Sequence, residues 1–165
     1  MSEDMDGGRK MSLIRAQGLK ILSSDPEPAA RSRAASELGR IGNEQAIAVL
    51  VQTLRDPSKE VRASASKALA AIGTPAIGSL ITTLADADWV VRYRAAEALG
   101  FIGDPWSIAA LVRALGDERD HVRYMAAKGL GRLRARDAAG PLRAALKDEN
   151  PFVHRAVKEA LTALG

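Results

Sequence analysis

The chain has 165 residues, a formal net charge of +4 and no cysteine, which excludes disulfides, thiolate metal sites and cysteine nucleophiles. Hydrophobic residues make up 47% of it but aromatic ones only 4%, so any core is aliphatic and fine-grained, a composition that suits close-packed helices and disfavours a β-fold. Acids accompany bases along the whole length, against a nucleic-acid partner, and no apolar run approaches the roughly 20 residues needed to cross a bilayer.

In chain order, residues 1–10, MSEDMDGGRK, are polar and lead into no signal-peptide core, so they read as a short disordered tail of a cytoplasmic protein. Residues 11–23 have the spacing of one helix, half of a hairpin. From there the chain repeats itself. Asp25, Asp56, Asp86, Asp117 and Asp148 recur at intervals of 31, 30, 31 and 31 residues. After each Asp come four residues and then a pair: Ala30-Arg31, Val61-Arg62, Val91-Arg92, Val122-Arg123 and, last, Val153-His154.

The third unit shows the plan. Val91, Ala95, Ala98, Leu99 and Ile102 mark one face of a first helix. Gly103 stops it, and Asp104-Pro105 opens a second helix that buries Ile108, Leu111, Val112 and Leu115. Asp117 is then expected to cap the next first helix. One pair of helices cannot bury both of its apolar faces, so pairs must stack. Small residues at a fixed place (Ala34, Ala65, Ala95, Ala126) let axes approach to roughly 8–10 Å. The expected fold is all-α: a right-handed α-α superhelix occupying a single domain over 11–165, with four helix pairs at 25–55, 56–85, 86–116 and 117–147. Half-repeats flank them, the last at 148–165 with a lone helix over 151–164. In unit four, Leu133-Arg134-Ala135-Arg136 replaces the Ile-Gly-Asp turn, which predicts a shifted helix break or a longer first helix.

The pattern D-x4-V-R-x2-A-A-x-A-L-G-x-I-G-[DN]-x2-[AS]-I-x2-L, running over residues 25–165, resembles the HEAT-like repeat of phycobilin lyase subunits and of many short archaeal and bacterial proteins. The resemblance implies a solenoid whose second helices line the concave face and a scaffold or adaptor that binds another protein there. It also leaves open an accessory subunit, lyase-like or chaperone-like, that handles a tetrapyrrole or an apoprotein. Deoxyhypusine hydroxylase is built from similar repeats and places His-Glu dyads just after the Val-Arg position. Here those positions read Ser32-Arg33, Ala63-Ser64, Tyr93-Arg94, Tyr124-Met125 and Arg155-Ala156, so no dinuclear metal site is expected. There is no GxSxG, and GGRK lacks the spacing of a phosphate loop. Neither enzymatic activity nor a cofactor is expected.

Three groups of residues remain to be placed. The row Arg31, Arg62, Arg92, Arg123 could bind anions, but the strict Asp periodicity favours each Arg pairing with a turn Asp of its own or an adjacent unit. All six aromatic residues lie after residue 88, and Trp106 aligns with Pro75 and Gln45, so the first two units fold without them. Trp89, Tyr93, Trp106 and Tyr124 therefore serve either local packing or partner binding. With Arg94 and Arg113 they form the expected contact surface for a helix or extended segment of a partner protein, beside small second-helix residues such as Ala48, Ser79, Thr83, Ala110 and Ala144. Finally, Arg132, Arg134, Arg136 and Arg143 form the densest basic group. That group is either a nucleic-acid edge or a helix end complementing its own carbonyls.

Overall fold

The computed structural model describes Leu22 and residues 24–165; the expected tail and nearly all of the expected helix over 11–23 lie outside them. The chain divides into two compact units, Met1–Pro75 and Ala76–Gly165. The division falls between the two helices of the second repeat.

In the first unit, α1 (Pro28–Ile41), α2 (Glu44–Thr53) and α3 (Lys59–Ile72) pack pairwise. α1 starts with a proline, whose missing N–H is harmless there, and stops at Gly42, φ +63°. Asn43 caps α2 by accepting from the Ala46 N–H at 2.9 Å. The buried faces are those of the apolar spacing: Ala34, Ala35 and Leu38; Ala46, Ile47 and Leu50; Val61, Ala65 and Leu69. At Gly39 a Cβ would come within 2.8 Å of Ala68 Cβ, so α1 and α3 touch almost backbone to backbone.

The second unit holds first helices α5 (Trp89–Ile102), α7 (Asp120–Arg132) and α9 (Pro151–Leu164), and short second helices α4 (Ile77–Thr83), α6 (Ile108–Ala114) and α8 (Ala139–Ala145). α5 packs on α7 and α7 on α9; each second helix packs on the first helix that follows it. Stability is therefore shared across repeats. First helices begin at Pro28, Lys59, Trp89, Asp120 and Pro151, each three residues after its Asp. The lone helix expected over 151–164 is α9.

Three details differ from the sequence reading. First, the repeated Asp does not cap the helix. Asp56, Asp117 and Asp148 accept from the N–H two residues on, at 2.8, 2.9 and 2.9 Å, closing an Asx turn just before it. Capping by a side chain falls to Asp88 and Asn150, which sit at the N-cap itself. Second, the second helices of repeats two to four open with 3₁₀ turns at Thr74–Ala76, Pro105–Ser107 and Arg136–Ala138. Such a turn advances about 120° per residue against 100° in an α-helix, so three residues rotate the face that follows by about 60°. Thr83 and Ala110, expected on the open face, are buried, while Ile108, Val112 and Leu115 are only half-buried. The turns alone do not set this, since Thr53, on a helix without one, is buried at the place of Thr83, and Ser79, after one, is exposed at the place of Ala110. Thr83 tolerates burial because its hydroxyl donates to the Ser79 carbonyl at 2.7 Å.

Third, the turn in repeat four is neither shifted nor preceded by a longer helix. Arg134 takes the left-handed conformation, φ +48°, in the place of Gly103, φ +69°. The Arg134 N–H donates to Gly131 O at 3.1 Å and the Ala135 N–H to Leu130 O at 3.2 Å, which is a complete Schellman motif. A side chain there is strained by about 1 kcal/mol. Arg134→Gly should therefore raise stability by up to about 1 kcal/mol, read as a higher midpoint of urea unfolding. An unchanged or lower midpoint would contradict the strain.

Candidate functional site

Two sets of polar and aromatic side chains stand out, and the first ties repeats together. Arg31 reaches Asp56 in a two-pronged contact, Nε to Oδ2 at 2.8 Å and Nη2 to Oδ1 at 2.9 Å. Arg92 grips Asp117 in the same way at 2.7 and 2.9 Å, and Arg123 grips Asp148 at 2.6 and 3.1 Å. The third nitrogen, Nη1, donates back to carbonyls of its own turn: Asp25 and Pro26, Asp86 and Ala87, Asp117 and Glu118. Arg62 makes the same backbone contacts to Asp56 and Pro57. Only a planar five-donor fork can hold its own turn and the next repeat's carboxylate at once. These arginines are structural ties, as the Asp period implied.

Burial pushes the Asp56 and Asp117 carboxyls up, but the guanidinium of Arg31 or Arg92 and the turn N–H outweigh it and hold both below the usual carboxylate range. For Asp148 the Arg123 hydrogen bond is the leading influence, with the same result. Arginine stays charged at any accessible pH, so the carboxylates set the sign. Their contribution is complete above the unfolded carboxylate value of about 4 and is lost as the pH falls from there through the lower folded values. Acid titration followed by circular dichroism should therefore show helix loss beginning below about pH 4. Arg123→Ala should make that loss shallower; the same acid profile in both proteins would contradict the assignment.

The second set is aromatic. Trp89 and Tyr93 are half-buried against Ala114, Val122 and Ala126. Cations cover most rings: Arg94 over Tyr93 at 5.2 Å, Arg119 over Trp89 at 4.9 Å, Lys128 over Tyr124 at 5.5 Å and Arg132 over Phe101 at 4.2 Å. Arg94 is itself buried and pairs with Glu97 at 2.7 Å. Of the six expected contact residues, Trp89, Tyr93, Arg94 and Tyr124 lie on first helices; Trp106 and Arg113 lie on the second-helix side. Trp106 is 81% exposed and Arg113 is exposed. Arg113 borders a shallow hollow of about 170 Å³ with Ile81, Leu84, Ala85, Ala110 and Ala114. In the first unit, Ala48, Val49, Gln52, Thr53 and Arg55 line a hollow of about 510 Å³ on α2.

Sequence reasoning missed a cleft of about 370 Å³ between the starts of α7 and α9, lined by Asp120, His121, Tyr124, Asn150 and Phe152. The His121 ring lies 5.0 Å from that of Trp89, tilted by 46°, and 2.8 Å from the Asp120 carboxylate, which also accepts from the Asn150 amide. The signal was present: His121 and Phe152, like Tyr93 and Tyr124, are one repeat apart and so adjoin on consecutive first helices. Among the described residues no group of three or more histidines and carboxylates could hold a metal, and no helix is long and apolar enough to cross a membrane.

The family description for HEAT repeats matches residues 17–85 and 77–162. No curated protein matches the chain. Among solved structures, the complex of CpcE and CpcF of phycocyanin lyase from Nostoc sp. PCC7120 is similar at 25% identity and a TM-score of 0.66, covering 91% of this chain and 64% of that one. This chain thus spans less than two thirds of that relative's length. A designed armadillo repeat protein in complex with the peptide (KR)4 shares the fold at 21% identity and a TM-score of 0.57, covering 95% of this chain and 91% of that one. Human deoxyhypusine hydroxylase does so at 16% and 0.52, covering 94% and 88%. With both matched segments spanning most of its length and every first helix in the expected register, the chain belongs to the HEAT repeat family.

Proposed function

We propose that this helical repeat scaffold is a protein-interaction module whose second-helix side, around Trp106 and Arg113, receives a helix or extended segment of a partner protein. The observation that carries the reading is the 81% exposure of Trp106. Tryptophan is the residue that most gains from a partner's desolvation, and leaving it in water serves no packing need. Arg113, on α6, supplies a charged neighbour downstream of the 3₁₀ turn that carries Trp106, and it borders a shallow, mainly polar hollow. Trp89, Tyr93, Arg94 and Tyr124 are proposed to frame the adjoining edge.

Trp106→Ala separates binding from folding. Stability should change by less than about 0.5 kcal/mol, because the side chain is solvated, whereas partner affinity should fall by about 2 kcal/mol or more. The measurement is paired affinity capture from the native cell with both baits, followed by titration of the partner recovered. Equal recovery and equal affinity would sink the proposed surface. A second reading, an accessory subunit of the lyase kind, rests on the 25% identity to the CpcE–CpcF complex. Absorbance titration with linear and cyclic tetrapyrroles tests it: a saturable spectral shift supports that reading, and no shift removes it.

A further inference from the structure

Arg31, Arg92 and Arg123 of the ladder are each paired with an aspartate; a second group of arginines stands in different surroundings. Arg132 ends α7, Arg134 occupies the left-handed turn, Arg136 opens the next 3₁₀ turn and Arg143 lies on α8; all four are exposed. Among the described residues none of the four guanidiniums makes an ion pair, although the exposed Arg40 and Arg155 each find a glutamate on their own helix. The one acid between residues 132 and 143 is Asp137, also exposed. Arg132 lies 4.2 Å over the ring of Phe101, itself 53% exposed, which places one guanidinium against the end of α5.

The bland explanation is that these cations complement the carbonyls at the end of α7. It does not suffice. The Leu133, Arg134 and Ala135 N–H groups already satisfy the carbonyls of Gly129, Gly131 and Leu130. Moreover, repeats one to three have glycine in the turn, at Gly42, Gly73 and Gly103, whereas repeat four holds an arginine there at a conformational cost. Cost without a structural return points to recognition.

We propose that this arginine edge binds an acidic segment of a partner protein, a run of aspartates or glutamates, through forked guanidinium–carboxylate contacts. Planar forks match carboxylates in two-pronged geometry, as the same chain already does three times in its ladder. A nucleic acid is the poorer fit. The four arginines span only twelve residues of sequence, and the one exposed ring among them, Phe101, is already covered by Arg132, leaving no platform for a base. This inference is independent of the reading around Trp106, and its test does not involve that residue.

The test uses the full chain and fluorescence anisotropy with a fluorescein-labelled ten-residue glutamate peptide. Saturable binding is expected, weaker at higher salt, absent for the glutamine analogue and about tenfold weaker for the triple variant Arg132→Gln/Arg134→Gly/Arg136→Gln. The single charge reversal Arg136→Glu provides the same reading if the triple variant loses helix by circular dichroism. A control in the first unit, Arg33→Gln/Lys59→Gln/Lys67→Gln, removes three other exposed charges and should bind as the parent does. No saturable binding of the peptide would overturn the proposal. So would equal losses in the variant and the control, which would reduce the effect to net charge. Tighter binding of a ten-nucleotide single strand than of the peptide would overturn it in favour of a nucleic acid.

Discussion

Arg92→Ala should destabilise the protein by about 2–4 kcal/mol, measured as the shift in the urea unfolding midpoint. The side chains of Arg92 and Asp117 are only 8% and 11% exposed, and the arginine also serves the carbonyls of Asp86 and Ala87 and the carboxylate of Glu118. Removing it strands a mostly buried carboxylate and frees two turn carbonyls at the same time. The figure stays below that of a fully buried pair because water can reach the vacated space. Arg92→Lys should recover only part of the loss, since an ammonium is a point donor and cannot hold a carboxylate edge-on while bonding two carbonyls behind it. A loss under about 0.5 kcal/mol, the range of an ordinary surface change, would contradict the role.

Gly100→Ala should lower stability by about 1–3 kcal/mol, opposite in sign to the usual effect of replacing a mid-helix glycine. A Cβ at residue 100 would stand 2.8 Å from the Cα of Gly129 on α7, a backbone atom with no rotamer to escape into. The same kind of contact occurs at Gly131, 2.9 Å from the Cα of Ala160, and at Gly39 against Ala68. In each case the glycine of one first helix meets a small residue of the next. Gly140→Ala is the internal comparison: nothing lies within 4 Å of its added Cβ, so it should be neutral or stabilise by up to about 1 kcal/mol. If the two substitutions had equal effects, helix propensity rather than close approach would account for both.

Much of the fold could be read from the sequence because its signal is long. A motif that returns every 30 or 31 residues outlasts any single helix, so the starts of all five described first helices followed from the spacing of Asp25, Asp56, Asp86, Asp117 and Asp148. The Arg–Asp ties were legible for the same reason, being periodic in both partners. What resisted was local. An Asx turn and an N-cap use the same residue types one or two positions apart, so the role of Asp117 was misplaced while its position was right. Ala110, expected on the open face, is buried, whereas Ser79 at the same place in repeat two is exposed. Arg134 showed that a glycine position can be filled at a cost without moving the turn.

The candidate site was less legible, because exposure is not written in residue type. Trp89 and Trp106 are the same amino acid, yet one packs on Val122 and Ala126 while the other is left in water. The difference depends on which helix follows and how it is rotated, information that belongs to three dimensions. The cleft at His121 and Phe152 depends likewise on two helices meeting at one repeat's offset.

The claim underlying this account is that consecutive repeats are held by direct coupling between the arginine of one and the aspartate of the next. A double-mutant cycle of Arg92→Ala and Asp117→Ala tests it most directly. The coupling energy should be about 1–3 kcal/mol, with the double variant little worse than either single one; losses that add to within about 0.5 kcal/mol would contradict it.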